Sequence, residues 1–168
     1  HLAGLVAART ENDFFKINTQ ATERLMTAAQ NAKVKRFLYV SSLAAREPHL
    51  SAYAQSKRDA EDIVLKHSDI PTDVIRPAAV YGPADTQTFK IFESVQKGLA
   101  VLPGQGNGRV SVIHVDDLVQ AIVIWLEMVN APQGDVFELG DGVTNGYSWH
   151  DIMKQAAKAL GKEPRYIK

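Results

Sequence analysis

The chain has no cysteine in 168 residues. That excludes a disulfide framework, a thiolate nucleophile and any zinc site built on sulfur, and it fits a reducing cytoplasm. An excess of one charge is missing too. The 19 Lys and Arg residues are balanced by 19 Asp and Glu residues, so nothing resembles an electrostatic footprint for nucleic acid or an anionic membrane. No apolar run reaches the length of a membrane span. Ala121-Ile122-Val123-Ile124-Trp125-Leu126 is short, is bracketed by Asp116, Asp117 and Glu127, and reads as a buried helix. The five histidines are scattered without metal-ligand spacing, so no metal site is expected.

What remains is an ordinary globular composition, 45% hydrophobic, long enough for a domain with a real core. His1-Leu2-Ala3-Gly4 reads as the end of a strand. A helix follows with an apolar stripe at Ile17, Ala21, Leu25 and Ala28 or Ala29, the spacing of a segment packed on a sheet. Lys33-Val34-Lys35-Arg36 is expected as a solvated helix end. Phe37 to Ser42 reads as a strand, a second helix begins near Ser51 and carries Ala60, Ile63 and Val64, and Thr72 to Arg76 is a strand stopped by Pro77. This strand and helix alternation is the rhythm of a parallel, doubly wound α/β sheet.

After Pro77 the rhythm breaks at the turn Tyr81-Gly82-Pro83. Phe89, Phe92 and Val95 suggest a short helix ahead of Leu99 to Leu102. The run Gly104-Gln105-Gly106-Asn107-Gly108 reads as a turn and not a phosphate loop, because it opens the alternating strand Arg109 to Val115 instead of a helix. Asp116 is expected to cap a helix from Leu118 to Met128. Asp135 to Leu139 reads as a further strand. Ser148 with Asp151 forms a capping-box pattern opening a last helix that Gly161 ends.

The chemistry concentrates at Tyr53 and Lys57. Positions i and i+4 share a helix face, so phenol and ammonium can point into one site. A tyrosine phenol titrates near ~10 and needs a neighbouring cation to serve as a base at neutral pH, which Lys57 supplies. Ser42, at the carboxyl end of a parallel strand where open α/β sheets place ligands, would hold the oxygen whose proton moves.

In this order His1-Leu2-Ala3-Gly4, Asn18-Thr19 opening the first helix, Val34 to Ser42, Tyr53 with Lys57, Arg76-Pro77-Ala78-Ala79-Val80-Tyr81-Gly82-Pro83 and His114-Val115-Asp116-Asp117-Leu118 resemble the extended short-chain dehydrogenase/reductase superfamily, in its NAD-dependent epimerase/dehydratase branch. The resemblance implies the C-terminal half of a Rossmann-type domain over residues 1–83, with a mixed segment over 84–168 that supplies a small substrate lobe and returns to the sheet, in one compact unit. It implies Tyr53 as general acid/base, Lys57 on the nicotinamide ribose and Ser42 orienting the reacting oxygen. Pro77, Ala78 and Val80 would lie near the nicotinamide, and Ala3 and Gly4 near the ribose and phosphates of NAD or NADP. The partners implied are a small-molecule substrate and a second copy of the chain.

The departures from the family pattern are informative. The glycine-rich phosphate turn and the residue that selects NAD or NADP are missing, so a central fragment of a longer protein is expected, one whose first strand exposes an edge or whose helices pair it as a homodimer. The short path from Ser42 to Tyr53 looks like reductase or steroid-dehydrogenase members, or cofactor-binding assembly proteins, more than sugar epimerases. Two other readings stay open: a non-catalytic binding module on the same fold, and a chain that binds no cofactor by itself. His114 and Asp116 are expected to be structural, and His49 and Arg109 to sit at the surface.

Overall fold

The computed structural model describes residues 1–66, 69–103, 108–130 and 132–167. The expected turn at 104–107 lies outside the described residues. In chain order the elements are α1 (Glu11–Phe14), a π-helical stretch (Phe15–Gln20), α2 (Ala21–Asn31), β1 (Phe37–Val40), 3-10 turns at Leu43–Arg46 and Pro48–Leu50, α3 (Ala52–Lys66), β2 (Thr72–Pro77), β3 (Ala79–Tyr81), α4 (Thr86–Gln96), β4 (Leu99–Val101), β5 (Arg109–Val110), β6 (Val112–His114), α5 (Val115–Glu127), β7 (Val136–Leu139), β8 (Tyr147–Ser148), α6 (Trp149–Leu160) and β9 (Arg165–Ile167). They group into two units, His1–Ala78 with Ile122–Leu139, and Ala79–Ala121 with Gly140–Lys168. The first boundary thus falls ahead of the Tyr81-Gly82-Pro83 turn. Among the described residues no helix is long and apolar enough to cross a membrane.

The first unit is built on a parallel sheet of order β1-β2-β7, with Tyr39 beside Val74 and Ile75 beside Phe137. Val74 joins Met26, Tyr39, Ala60 and Val64 in a core beneath α2 and α3. Side chains alternate along a strand, so Asp73 faces the other side, where its carboxylate accepts the indole N–H of Trp125 at 2.9 Å and the backbone N–H of Asp135 at 3.0 Å. Helices therefore cover both faces, as a doubly wound sheet requires. Residues 1–4 form no strand. His1 alone continues the ladder, its carbonyl accepting from Val40 and its N-terminal amine donating to the Leu38 carbonyl.

Several local expectations change in this unit. The first helix opens at Glu11, where the Asp13 carboxylate accepts the Thr10 N–H, and Asn18 lies inside it. The buried stripe is Asn18, Thr22, Met26 and Ala29, while Ile17 and Leu25 are 47% and 40% exposed. Polar Asn18 and Thr22 win the interior because each is hydrogen-bonded there. Arg36 is no solvated helix end. Its guanidinium donates to the carbonyls of Trp125, Leu126 and Met128 and stacks 4.6 Å over the Trp125 ring, closing the C-terminal end of α5. The apolar run of that helix is not buried throughout: Leu118 and Trp125 are buried, while Val119, Val123, Ile124 and Leu126 are exposed.

In the second unit α4 and α6 pack together around Val95, Ala100, Leu102, Met153 and Ala156. Three short ladders border them: β3 with β6 and β4 with β9, both parallel, and β5 with β8 antiparallel. The strand expected over Arg109 to Val115 is split at Ser111, since β5 and β6 serve different ladders. At α5 the helix begins directly at Val115, and the cap is the His114 ring, whose Nδ1 accepts from the Asp116 N–H at 3.3 Å. Ser148 and Asp151 form the capping box of α6, and Gly161 ends it in the left-handed region at φ 60°, where a Cβ is costly.

Candidate active site

The site grows from the carboxyl end of β1. Past Val40 the chain turns through Ser41 and Ser42, and the Ser42 Oγ accepts the Ala44 N–H at 3.3 Å to start a 3-10 turn. The Ser41 hydroxyl is buried and meets no described partner. Ser51 then caps α3 by accepting the Ala54 N–H. With its start fixed, α3 sets Tyr53, Lys57 and Glu61 one turn apart along its length.

Lys57 is the unusual residue, a lysine only 4% exposed. Its Nζ donates to the Val40 carbonyl at 3.0 Å and lies 4.4 Å over the face of Tyr39. Burial pulls its ammonium down from 10.5 to about 8, against the opposing pull of Glu61. Holding it charged at neutral pH therefore costs roughly 3 kcal/mol. The Tyr39 phenol is pushed up by burial and by the Glu61 charge, so Tyr39 serves Lys57 as a ring and not as an anion.

Glu61 itself is 1% exposed. Arg76 compensates it with a two-pronged contact from Nε and Nη2 at 2.6 to 3.2 Å, and reaches Glu138 at 3.2 Å with Nη1. Arg46 adds a second cation to Glu138. These partners keep the ammonium of Lys57 from collapsing into an ion pair, since the Glu61 carboxylate is already spent on a guanidinium.

Tyr53 is half-buried, its ring meeting Phe14 edge-on at 5.8 Å, and its hydroxyl makes no hydrogen bond among the described residues. Ser56, between Tyr53 and Lys57, donates to the Tyr53 carbonyl and accepts from the Asn18 amide. Asn18 also donates to the Leu5 carbonyl and accepts its N–H at 2.7 Å, tying the segment after Gly4 to α3. It sits in the π-helical stretch, a widened turn that often marks function. A Cβ at Gly4 would lie 3.3 Å from the Asn18 Oδ1 and 3.7 Å from the Lys57 Nζ. Glycine thus keeps the backbone close to both.

Ser42, Tyr53, Lys57, Ala3, Gly4, Pro77 and Ala78 all fall in the first unit; Val80 belongs to β3 of the second. Gly4 and Lys57 are brought together, Pro77 and Ala78 are buried at the carboxyl end of β2, and Ala3 is exposed. His49 is a surface residue beside Glu47. Arg109 is exposed, as expected, and its guanidinium donates to the carbonyls of Asn145 and Gly146. Sequence reasoning assigned no role to Glu61, although its place one turn beyond Lys57 on the same face was a readable signal. A polar Asn18 within a helical stripe was another.

The parallel α/β unit and its helix-borne tyrosine and lysine define a Rossmann-type protein. The model of the NAD dependent epimerase/dehydratase family matches residues 1–140, and the chain belongs to that family. It is similar to the ceramide reductase of Caulobacter vibrioides, 39% identical over 168 residues, which are all of this chain and 51% of that protein. It also resembles the 3 beta-hydroxysteroid dehydrogenase/Delta 5-->4-isomerase of Mycobacterium tuberculosis, 32% identical over 66% of this chain and 35% of the relative. The chain spans about half the length of the first of these curated relatives and about a third of the second. Among solved structures, the UDP-glucuronic acid 4-epimerase of Bacillus cereus with UDP-glucuronic acid and NAD superposes with a TM-score of 0.85 at 22% identity, over 98% of this chain and 60% of that one. MoeE5 with UDP-glucuronic acid and NAD gives 0.84 at 23%, over 99% and 63%. These two likenesses are of fold.

Proposed function

We propose that this chain carries the proton-transfer part of an NAD- or NADP-dependent oxidoreductase acting on an alcohol or ketone of a small molecule. The observation that carries the reading is Lys57, buried at a cost to stability and set one helical turn from Tyr53, whose hydroxyl makes no hydrogen bond among the described residues. Tyr53 gives or takes the proton of the substrate oxygen as general acid/base. Ser42 orients that oxygen, and Lys57 supplies a cation one helical turn from Tyr53. Asn18 and Glu61 position Lys57 without touching substrate.

The residues fit a nicotinamide cofactor, because at Gly4 the backbone borders Lys57 with no side chain between, and a Cβ there would press on the Asn18 Oδ1 at 3.3 Å. Lys57, Ala3 and Gly4 would hold its ribose and phosphates, and Pro77 and Ala78 would border its ring. When bound, the cofactor supplies or accepts the hydride. A reductase or dehydrogenase is favoured over a sugar epimerase by the short path from Ser42 to Tyr53 and by the names of the ceramide reductase and steroid dehydrogenase relatives.

In the whole protein, Tyr53→Phe should lower turnover about 100-fold or more, while fluorescence titration with NADH or NADPH is unchanged. Turnover equal to the parent's would contradict the role of Tyr53. Pairing as a homodimer is proposed through the exposed Ile17, Ala21 and Leu25 stripe, and a monomer by light scattering at high concentration would refute it.

A further inference from the structure

The second unit contains a cavity of about 390 Å³, within the range of small-molecule pockets, roughly 300 to 1,000 Å³. Its walls are Ile91 and Phe92 of α4, Val112 of β6, and Trp149 and Ile152 of α6. Tyr81, Thr88 and Gln155 are its polar members, and the Thr88 hydroxyl is already turned onto Asp85. No charged side chain lines it among the described residues. Arg109, next in sequence to the lining residue Val110, has its guanidinium committed to the Asn145 and Gly146 carbonyls.

A phosphate or carboxylate placed against such walls would lose its hydration without gaining a cationic partner. A hydrocarbon loses nothing of the kind, and gains with every methylene it buries. We infer that this cavity binds an uncharged aliphatic portion of a small molecule, with the Tyr81 hydroxyl and the Gln155 amide able to meet one polar group at its end. Regarding that molecule as substrate rests on the oxidoreductase reading above; the binding itself does not.

The test is a titration of the 168-residue chain with methyl ketones from hexanone to decanone, followed by Trp149 fluorescence and by the methyl signals of Ile91 and Ile152. Binding should saturate and tighten about fourfold per added methylene, and UDP should leave those methyl signals in place. Ala159→Trp, which pushes a ring into the cavity from an exposed position of α6, should weaken decanone binding about tenfold or more. Gln155→Trp serves the same end if the first variant misfolds by circular dichroism.

Affinity independent of chain length, ketone shifts confined to first-unit methyls such as Ile75, or saturable UDP binding at Ile91 and Ile152 would overturn the inference. If the ketones fail to bind while Tyr53→Phe still abolishes turnover, the cavity assignment alone falls. If they bind while Tyr53→Phe leaves turnover intact, only the oxidoreductase reading falls.

Discussion

The two units spend their interiors in opposite ways. Asn18, Thr22, Ser41, Ser56, Lys57, Glu61, Thr72 and Asp73, the buried polar and charged residues among those described, all lie in the first unit. The second unit buries valine, alanine, leucine and methionine and leaves an apolar cavity. Buried charge is expensive unless paired, and the first unit pairs nearly all of its own: Glu61 with Arg76, Asp73 with Trp125 and the Asp135 amide. Lys57 is the exception, meeting one carbonyl and a ring face. On the proposed reading the first unit would serve proton movement and the second would recognise hydrocarbon; what differs outright is that one buries polar and charged side chains and the other apolar ones.

The contrast can be broken most severely at Arg76. Its replacement by Ala strands a buried Glu61 carboxylate, and urea unfolding should report a loss of about 3 to 5 kcal/mol. The double variant Arg76→Met with Glu61→Leu should recover most of it, since an apolar pair needs no compensation. A loss below about 1 kcal/mol for Arg76→Ala would mean the pair is not buried as described.

Lys57→Met should act in the opposite direction. The ammonium is disfavoured in the folded state, so below pH 8 lysine is charged both folded and unfolded and the whole penalty applies. As pH rises from about 8 towards 10.5 the folded protein sheds the proton first, and the penalty is relieved. The variant should thus be more stable than the parent at pH 7, by up to roughly 3 kcal/mol less the value of the lost Val40 hydrogen bond, with the gap closing by pH 10.5. Thermal unfolding at both pH values would measure it; a gap that widens with pH would contradict it. The smallest effect belongs to the second unit, in which no charged side chain is buried among the described residues. Ser148→Ala removes only the cap of α6 and should cost about 1 kcal/mol at any pH above the titration of Asp151.

Much of this was legible in the sequence because it is local. The apolar strands Phe37–Val40 and Thr72–Pro77, the Tyr53 to Lys57 spacing, and the Ser148, Asp151 and Gly161 boundaries of α6 are set by neighbours a few residues away. What was not legible depends on partners distant in the chain. Glu61 meets Arg76 fifteen positions on, and Asp73 meets Trp125 fifty-two positions on. Without those partners each looks like a solvated charge. The same cause displaced the first helical stripe by one residue, because Asn18 is buried for its bonds to Leu5 and Ser56 and not for its hydrophobicity. Ser111 divides a regular alternation for a tertiary reason as well, as β5 and β6 are claimed by different strands.

The placement of Lys57 is the centre of the account, and its titration is the most direct test. Heteronuclear NMR of the Lys57 side chain, assigned by its loss in Lys57→Met, should show the ammonium titrating near about 8, well below its ordinary 10.5. A lysine titrating at its ordinary value would place Lys57 in water, and would remove the observation on which the proton-transfer site rests.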